Sequence, residues 1–485
     1  MKHHSLSQLG RKVGLTAAAF ATMLTAGPAF AGQTTTTTTD EEVGGSPLAD
    51  WWNGKYMTGN WFGVRDTLAD HGLTFGGKYE GIFFGVVDSQ RGSRGFYDQE
   101  VAFDGNLDFA KLLKVEALEG LSAFGGVRWR DSRASSNPNS FVQASSLFQP
   151  SNNQSGTQWR LTSFGLEYVT PELFGIEDLL TLRGGWLQPQ KEFIDQPLSK
   201  MFVNNAIESS KGVGGNIPFS SSFSTWGGTL EVQPTKWYYA KAGLFMAYPG
   251  ATSSSNHGLA FEGFAEDTSM NGLMVMAETG ITPKIGSSKL PGKYAVGGYY
   301  WGNEKNSFNG TSNYGQYGFY WQADQMLFRE ASPEEPAPMG KGPSDGKSMV
   351  DSKSFKTPVE TVEPKLSKQG LYTFNLLTFA PKYNNLYPFY FQTGLVYEGL
   401  IPGRDEDKTM FAIGYGSYSF ENIQNLQEDG RVNQPNYSIV LEWDYRIQLN
   451  KWAYFQPFVQ YIIQPNGTGA VQNATILGFA YTVRF

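Results

Sequence analysis

The feature that most constrains this fold is a regular alternation of apolar and polar side chains. Between Tyr437 and Ile447, apolar or aromatic residues occupy every second position, and most positions between them carry serine, glutamate, aspartate or arginine. A period of two places the two sets on opposite faces of a β-strand. In a soluble protein one face packs on a core, whereas in a membrane barrel one face meets lipid and the other lines the lumen.

Alternating segments of this kind, each bounded by turn residues, recur about sixteen times along the chain. An even number suits a single-chain bacterial barrel, and roughly 16 to 18 strands enclose a water-filled channel. The predicted fold class is therefore an all-β, transmembrane antiparallel β-barrel of about 16 strands. The predicted strands span residues 73–86, 100–110, 121–131, 157–169, 178–187, 222–233, 236–247, 270–282, 293–302, 315–328, 369–380, 389–398, 408–420, 435–447, 452–463 and 474–485.

The composition agrees with a membrane barrel. Aromatic residues make up 15% of the chain and glycine contributes 57 residues, yet the mean hydropathy is negative, as expected where only every second residue faces lipid. The chain has no cysteine, so stability must come from a closed hydrogen-bonded sheet rather than from disulfides. The net charge of −7 argues against nucleic-acid binding, and we predict neither a cofactor nor a metal.

The N-terminus has the three parts of a secretory signal peptide. Lys2, Arg11 and Lys12 supply the positive region, an apolar run follows from Val13 to Gly27, and Ala29-Phe30-Ala31 offers small residues to a signal peptidase. The apolar run of about 15 residues is shorter than the roughly 20 that span a membrane. We therefore predict an exported protein of the bacterial outer membrane whose signal peptide, residues 1–31, is cleaved after Ala31.

The rest of the chain is predicted to form a disordered leader (32–50), a short N-terminal periplasmic helical segment (51–72) and the barrel (73–485). The three long outward-facing connections are predicted at 132–156, 188–221 and 248–269. The Pro- and charge-rich stretch 329–368 falls on the periplasmic side, where long turns are unusual. It is predicted to be a disordered insertion outside the wall, unless the strand count is wrong by one.

The last predicted strand ends on an aromatic residue, Phe485, which shares a face with Phe479, Tyr481 and Val483. A terminal aromatic that closes an alternating strand resembles the signal by which outer-membrane barrels are recognised during assembly. A soluble protein seldom buries its C-terminal carboxylate, because the desolvation is costly. The expected partners of this face are therefore the barrel assembly machinery and outer-membrane lipid.

Several motifs together resemble those of a known family. The stretch GNWFGVRDTLADHGLTFGGKYEG (59–81) resembles the N-terminal signature of carbohydrate-selective porins of the OprB type. WQADQMLFR (321–329), GLIPGRDED (399–407) and FQPFVQYIIQPNG (455–467) resemble the C-terminal half of that family. MFVNNA (201–206) resembles an Asn-containing stretch of its long inward-folded loop, so the resemblance covers nearly the whole mature chain.

The resemblance implies a 16-stranded outer-membrane barrel for the passive uptake of glucose and similar sugars. It also implies an N-terminal helix on the periplasmic side and a loop-narrowed eyelet rich in arginine and aromatic residues. The insertion at 329–368 is longer than this resemblance leads us to expect. A monomer and a homotrimer both remain open.

Strand parity selects candidate lumen residues. In the third predicted strand Val127 and Trp129 would face lipid, which leaves Arg128 and Arg130 in the lumen. In the fifth strand Arg183 would face inward, while the outward side would carry Leu180, Leu182 and Trp186. These arginines would offer fixed donors that replace the hydration of a sugar. The alternative is that lumen arginines and glutamates only pair across the wall.

The long connection that follows the fifth strand supplies further polar candidates. Folded inward, it would narrow the lumen opposite the arginines, and its polar side chains would be Gln188, Lys191, Glu192, Asp195, Asn204 and Asn205. Arg65 on the N-terminal helical segment is an additional candidate, and Trp61 beside it is interpreted as a packing anchor. Arg404, Asp405 and Asp407 are interpreted as parts of a tight turn set by Pro402-Gly403 rather than as a ligand site.

Three other function classes compete with a sugar porin. A diffusion pore for general solutes, anions or organic acids would differ from a sugar porin only in its constriction. A phosphate channel would need more basic residues there than this acidic chain offers. An outer-membrane enzyme usually needs a histidine base, and His71 and His257 have no plausible partner nearby in sequence. A soluble glycan-binding β-protein would cluster its aromatic residues in patches rather than along alternating strands.

Overall fold

The computed structural model describes residues 47–132, 141–144, 147–151, 153, 157–209, 216–217, 223–247, 254–261, 272–308, 310–331, 367–419 and 436–485. Sixteen antiparallel strands form a closed barrel, because the first strand pairs with the last from Lys78↔Arg484 to Asp88↔Thr475. Closure satisfies the backbone groups that an open edge would leave unpaired in lipid.

The wall strands are β1 (Leu73–Asp88), β2 (Arg94–Asp108), β3 (Leu121–Asp131), β4 (Gln158–Val169), β5 (Leu180–Leu187), β6 (Thr225–Thr235), β7 (Tyr238–Met246), β8 (Leu273–Ile281), β9 (Leu290–Trp301), β10 (Gln316–Arg329), β11 (Gly370–Phe379), β12 (Phe389–Glu398), β13 (Lys408–Ser417), β14 (Tyr437–Asn450), β15 (Ala453–Ile463) and β16 (Ala474–Arg484). Two-residue strands lie at Glu172–Leu173, Ile176–Glu177, Lys284–Ile285, Lys305–Asn306 and Ser312–Asn313.

The short helices lie between the strands or before them. They are α1 (Pro47–Asn53), α2 (Val64–Asp70), α3 (Phe109–Leu113), α4 (Pro189–Phe193) and α5 (Asn205–Glu208). Single 3-10 turns lie at Trp61–Gly63, Glu116–Leu118, Ser199–Met201 and Ser254–Asn256. Among the described residues, no helix is both long and apolar enough to cross a membrane.

The prediction of a 16-stranded antiparallel barrel is confirmed, and each predicted strand coincides with an observed one. The largest difference between a predicted and an observed strand boundary is at β2, which begins at Arg94 rather than at residue 100. The first residues of β2 reverse the usual pattern, because Phe96 is buried beside Phe141 of a loop whereas Tyr97 and Gln99 share the opposite face. An apolar residue that points inward hides the alternation there.

The outer face of the barrel exposes apolar side chains. One face of each wall strand carries residues of this kind that are more than a third exposed, as a lipid-facing surface requires. Examples from successive parts of the wall are Val127, Leu182, Leu230, Val275, Val296, Leu395, Phe411, Trp443 and Leu477. The prediction that alternation separates a lipid face from a lumen face therefore describes this wall.

The connections differ between the two ends of the barrel. At the end that we call the loop end lie the long connections 132–157, 188–224 and 247–272. At the opposite, turn end lie the described N-terminal segment, Phe485 and connections as short as 236–237 and 451–452. The predicted long outward connections thus share one end.

The predicted insertion begins and ends at the turn end. Arg329 and Gly370 are ladder partners in β10 and β11, and beyond them the Glu330 N–H donates to the Gln369 carbonyl at 3.0 Å. The sixteen-strand count is therefore not off by one. Residues 332–366 of the insertion lie outside the described residues, as do the predicted signal peptide and most of the predicted leader.

The N-terminal segment packs against the turn end. The first helix begins at Pro47, so the last residues of the predicted leader are helical. Trp51 packs on Trp452 of the β14–β15 turn, with ring centroids 5.0 Å apart, and the Met57 N–H donates to the Arg484 carbonyl at 2.9 Å. These contacts fix the segment beside the seam between β1 and β16.

The lumen is narrowed because loops fold into it. At the loop end, Ile82, Phe84 and Val86 face inward, yet they are almost fully buried. They share one apolar core with loop residues such as Phe148 and Ile207. Burial of these apolar surfaces holds the described parts of connections 132–157 and 188–224 inside the barrel.

Candidate functional site

A carboxylate surrounded by three cations lies on the inner wall of β1 to β3. Glu100 of β2 is nearly buried, with the Arg130 Nε 2.5 Å away, the Lys78 Nζ 3.5 Å away and the Arg128 Nη1 3.9 Å away. Lys78 also contacts Glu80 at 2.6 Å. The register brings them together, because Glu100 lies directly opposite Arg130 in the β2–β3 ladder. We call these five residues the wall cluster.

The wall cluster keeps part of its charge in contact with the lumen. About a quarter of the Arg128 side chain is exposed, whereas Glu100 is almost fully covered. Three cations share two carboxylates here, so the cluster carries a net positive charge. A partly exposed guanidinium that is paired with a buried carboxylate is a donor with restricted freedom to move.

A second ion-pair group joins the wall to a loop. Arg183 of β5 pairs with Glu167 of β4 and with Glu192 of the connection 188–224, each at 3.1 Å. Its guanidinium also lies over the Phe124 ring, 4.4 Å from the centroid. Lys241 of β7 extends the group, 3.5 Å from Glu231. We call connection 188–224 the constriction loop.

The first half of the constriction loop presents charges to the lumen. Gln188 is buried and precedes α4, whereas Lys191 and Asp195 are exposed inside the barrel. Although Lys191 is accessible from the lumen, the surrounding wall removes much of the water around its ammonium. This desolvation and the nearby Arg128 guanidinium both lower the pKa of Lys191. Asp195 pairs with Lys200 of the same loop, and its carbonyl accepts from the Lys293 Nζ of β9 at 3.2 Å.

Asn204 and Asn205 are buried and hold the constriction loop in place. The Glu442 carboxylate of β14 accepts from the Val203 N–H at 2.7 Å and from the Asn204 N–H at 2.9 Å. The Asn204 Oδ1 accepts from the Ala206 N–H at 3.0 Å and so begins α5. The Asn205 side chain contacts connection 132–157 through its Nδ2. These two asparagines therefore position the loop and do not border open water.

Sequence reasoning missed a row of wall glutamines that bind the same loop. The Gln322 Nε2 donates to the Phe193 carbonyl at 3.2 Å, and the Gln456 Nε2 donates to the Met201 carbonyl at 2.9 Å. The Gln392 Nε2 donates to the Oε1 of loop residue Gln196 at 3.2 Å. Their inward parity was readable, but a polar inward residue alone does not reveal whether it meets water or a loop. We call Gln322, Gln392, Gln456 and Glu442 the anchor wall.

Arg65 lies apart from the other candidates. Its guanidinium is 3.8 Å from the Tyr56 ring centroid and 4.8 Å from that of Phe75, a residue on the outward face of β1. Trp61 lies on the same ring of Phe75, with centroids 5.3 Å apart. Arg65 is therefore outside the lumen, and we do not include it in the constriction.

The Arg404–Asp407 pair belongs to a turn. Two guanidinium nitrogens of Arg404 donate to the Asp407 carboxylate at 2.8 Å, and Tyr445 and the Gln448 N–H donate to the same group. Burial alone would raise the pKa of Asp407, but these hydrogen bonds hold it below its usual value. These contacts close connection 399–407 as a turn, as predicted.

The two histidines of the described residues make packing contacts. In the part of the chain that the structure describes, no three His, Asp or Glu side chains are grouped as metal ligands would be. The His71 Nδ1 lies 2.7 Å from the Thr67 carbonyl, and the His257 ring stacks on Trp159, with centroids 4.8 Å apart. Both contacts are local packing at the surface.

A closed barrel with an apolar outer face and a charged lumen narrowed by its own loops defines a class, the transmembrane diffusion pores of β-barrel type.

Comparison with known proteins gives the family within that class. Residues 95–485 match the model of the carbohydrate-selective porin, OprB family, so the chain belongs to this family. Porin B of Pseudomonas aeruginosa is 24% identical over 453 residues, which cover 88% of this chain and 90% of the relative. The protein is thus a porin, a channel rather than an enzyme, of the bacterial outer membrane.

Solved structures show the same fold. The high-pH structure of Pseudomonas putida OprB has a TM-score of 0.71 at 20% identity and covers 89% of this chain and 99% of its own. The low-pH structure of the same protein has a TM-score of 0.50 at 19% identity, with the same coverage. At these identities the likeness concerns the course of the backbone.

Proposed function

We propose that the channel conducts neutral, glucose-like sugars by passive diffusion between the wall cluster and the constriction loop. The observation that carries this proposal is the partly exposed Arg128 side chain, which forms a 3.9 Å ion pair with Glu100 on the same inner wall as Arg130. A sugar must exchange its bonds to water for bonds to the wall at little net cost. Guanidinium groups donate to hydroxyl oxygens, and nearby carboxylates accept from the hydroxyl hydrogens.

The constriction loop supplies the opposite side of the proposed passage. Lys191 and Asp195 keep both a donor and an acceptor exposed in the lumen, while Glu192 ties the loop to Arg183. Mixed charge suits a neutral polyhydroxy solute, because no single sign dominates the field along the path. Of the sequence candidates, Gln188, Asn204 and Asn205 would act through the position of the loop.

A pore for anions or organic acids is the second candidate. The observation that favours it is the excess of cations in the wall cluster, which would attract negative solutes. The carboxylates of Asp195 and Glu192 on the constriction loop oppose that field. Ion selectivity therefore separates the two functions.

The test compares solutes of similar size in proteoliposomes that contain the Arg130→Ala variant. Loss of a fixed donor should change glucose flux more than mannitol flux and should shift ion selectivity toward cations. Liposome swelling measures the fluxes, and the reversal potential in a planar bilayer measures the selectivity. Arg94→Ala, which changes an exposed arginine at the loop end of β2, is the matched control.

Equal gains for glucose and mannitol would reject the sugar-selective role and leave a sieve that sorts by size. A large preference of the unmodified channel for organic anions over neutral sugars would instead support the second candidate. A control variant that behaves like Arg130→Ala would show that the effect does not depend on the wall cluster.

We also propose that the turn end faces the periplasm and that the assembly machinery recognises Phe485. Phe485 pairs with Gly77 through two backbone hydrogen bonds of 2.7 and 2.9 Å, and its ring lies 5.4 Å from that of Phe103. The ring therefore lies on the outer face, where another protein could reach it before insertion. Cleavage of the signal peptide after Ala31 belongs to the same export route.

A further inference from the structure

Consecutive apolar side chains of the N-terminal segment are exposed at the turn end. Phe62 is 89% exposed, Val64 is 49% exposed and Trp61 is 41% exposed. Isolated exposed apolar residues are ordinary on protein surfaces, but a contiguous group on one short segment marks a contact with a partner or a membrane.

The backbone is bent so that Phe62 projects away from the protein. Trp61 and Phe62 adopt φ values of 51° and 57°, and Gly63 follows with a φ of 88°. Left-handed conformations are unfavourable for residues that carry a Cβ, and two in succession are unusual. The bend is held by the Asn60 carbonyl, which accepts from the N–H groups of Gly63 at 3.1 Å and Arg65 at 3.3 Å. A local fold that is costly and exposes an aromatic ring needs a compensating contact.

Beneath these rings lies an arginine that has no anionic partner among the residues that the structure describes. Arg65 is 8% exposed and is enclosed by Tyr56, Trp61 and Phe75, whose ring centroids are 3.8 to 5.1 Å from its Cζ. No described carboxylate forms an ion pair with it, and its Nε and Nη1 have no hydrogen-bond partner among the described residues. Aromatic faces stabilise a cation only in part, so this charge calls for an anion at the edge of the cage.

The segment is continuous with the lipid-facing wall. Phe75 shares the outward face of β1 with Phe83, and Trp61 packs directly on it. On the adjoining strands, Phe103 and Phe485 place further rings at the same end. Aromatic rings at this level of a barrel lie at the boundary between hydrocarbon and headgroups.

We propose that residues 56–66 dock on the bilayer surface at the turn end. Trp61 and Phe62 enter the boundary below the headgroups, and Arg65 pairs with the phosphate of a phospholipid. The continuity with the lipid-facing wall favours lipid over a protein partner, since Phe75, on which Trp61 packs, shares the outward face of β1 with the exposed Phe83. The Arg65 cation matches the charge of a phosphodiester, which would meet the part of the side chain that remains exposed.

The experiment uses the full chain in proteoliposomes of phosphatidylcholine and phosphatidylglycerol. Because the sequence contains no cysteine, Phe62→Cys provides a unique site for a small fluorophore. Nitroxide groups at the top of the lipid acyl chains should quench most of the fluorescence, and aqueous iodide should quench little. Glu406→Cys, exposed in connection 399–407 at the same end, is the matched control and should show the reverse.

Iodide quenching at position 62 equal to that of the control would overturn the proposal. A label that neither quencher reaches would assign the segment to a protein contact, and this result would also overturn the proposal. If that protein were a second copy of the chain, diluting the protein in the vesicles would expose the label. Adding Arg65→Gln to Phe62→Cys should reduce the lipid quenching, whereas Arg65→Lys should preserve most of it. Unchanged quenching with Arg65→Gln would reject the phosphate contact, provided that unboiled gels show a folded barrel.

Discussion

The constriction loop meets the barrel wall in two chemically different ways. On the side of β4 and β5 it meets charge, through Arg183 and Glu192, and part of that charge remains in contact with water. On the side of β10 to β15 it meets the anchor wall, where glutamine side chains and the Glu442 carboxylate bind its backbone out of contact with water. Charged, partly hydrated contacts and buried, largely uncharged contacts of the constriction loop therefore lie on different sides of the lumen.

Physical chemistry explains this division. Burying an amide that finds a hydrogen-bond partner costs far less than burying a charge, so neutral side chains suit a permanent contact. Such bonds are also insensitive to salt, whereas half-exposed ion pairs are screened. Two charged side chains also bind the loop on this side. Glu442 accepts from two backbone N–H groups, which make its burial tolerable, and the Arg446 Nη2 of β14 donates to the Met201 carbonyl at 2.8 Å.

The largest effect is expected when the anchor wall is broken at Glu442. Glu442→Ala leaves the N–H groups of Val203 and Asn204 buried without an acceptor, which should cost about 2–5 kcal/mol of stability. The constriction loop should then leave its position, so single-channel conductance should rise and fluctuate. Planar-bilayer recording and thermal unfolding in detergent measure both.

Glu442→Gln is the control for that experiment, because an amide oxygen can still accept one of the two hydrogen bonds. It should fall between the unmodified protein and Glu442→Ala in both measurements. Unchanged conductance in Glu442→Ala would show that the remaining contacts suffice to hold the constriction loop. The anchor wall would then no longer be distinguished from the charged side by its support of the loop.

A smaller effect is expected on the charged side. Arg183→Gln removes the pair with Glu167, in which both side chains are 28% exposed, and the pair with Glu192, which is 7% exposed. The Lys241 Nζ remains 4.0 Å from Glu192, so stability should change by only about 1 kcal/mol. Ion selectivity should nevertheless shift toward cations, because two carboxylates lose their counter-charge inside the lumen. Reversal potentials at low and high salt should show the shift fading with salt. A stability loss as large as that of Glu442→Ala would contradict the division.

The smallest effect is expected at the Arg404–Asp407 ion pair, which lies in connection 399–407 and contacts neither side of the constriction loop. Because the pKa of Asp407 is held below its usual value of 3.8, the pair stabilises the turn above that pH and loses its effect as the pH falls through the lowered value. The unfolding temperature should therefore decline slightly further in acid for the unmodified protein than for Asp407→Asn. Conductance should be the same for both, and a change in selectivity would place the turn nearer to the lumen than its contacts indicate.

The wall was predictable from sequence because its pattern is local. The spans of β3 and β12 were predicted to the residue, since side chains two positions apart report the same face. Trp186 shows that strand parity alone does not predict whether a side chain is exposed. It has the parity of the outward residue Leu182, yet it is buried because Phe261 of a distant loop covers it, with ring centroids 5.1 Å apart.

The candidate site was only partly predictable for the same reason. Arg128, Arg130 and Arg183 point into the lumen because parity alone places them there. Asn204 and Asn205 were expected to narrow the lumen, but their neighbours are set by Glu442 and Gln149, which are far from them in sequence. A long loop carries no periodic signal, so its polar residues do not reveal whether they meet water or the wall.

The hydrogen bond between Glu330 and Gln369 extends the β10–β11 ladder to the point where the long insertion begins and ends. The cost of closing a loop grows only logarithmically with its length, by about 0.6 kcal/mol for each doubling. A cut within the insertion would leave two fragments whose ends already lie side by side in the β10–β11 ladder. The connection between β10 and β11 is thus a suitable insertion site, where a reporter, an affinity module or a split point could be introduced without interrupting a transmembrane strand.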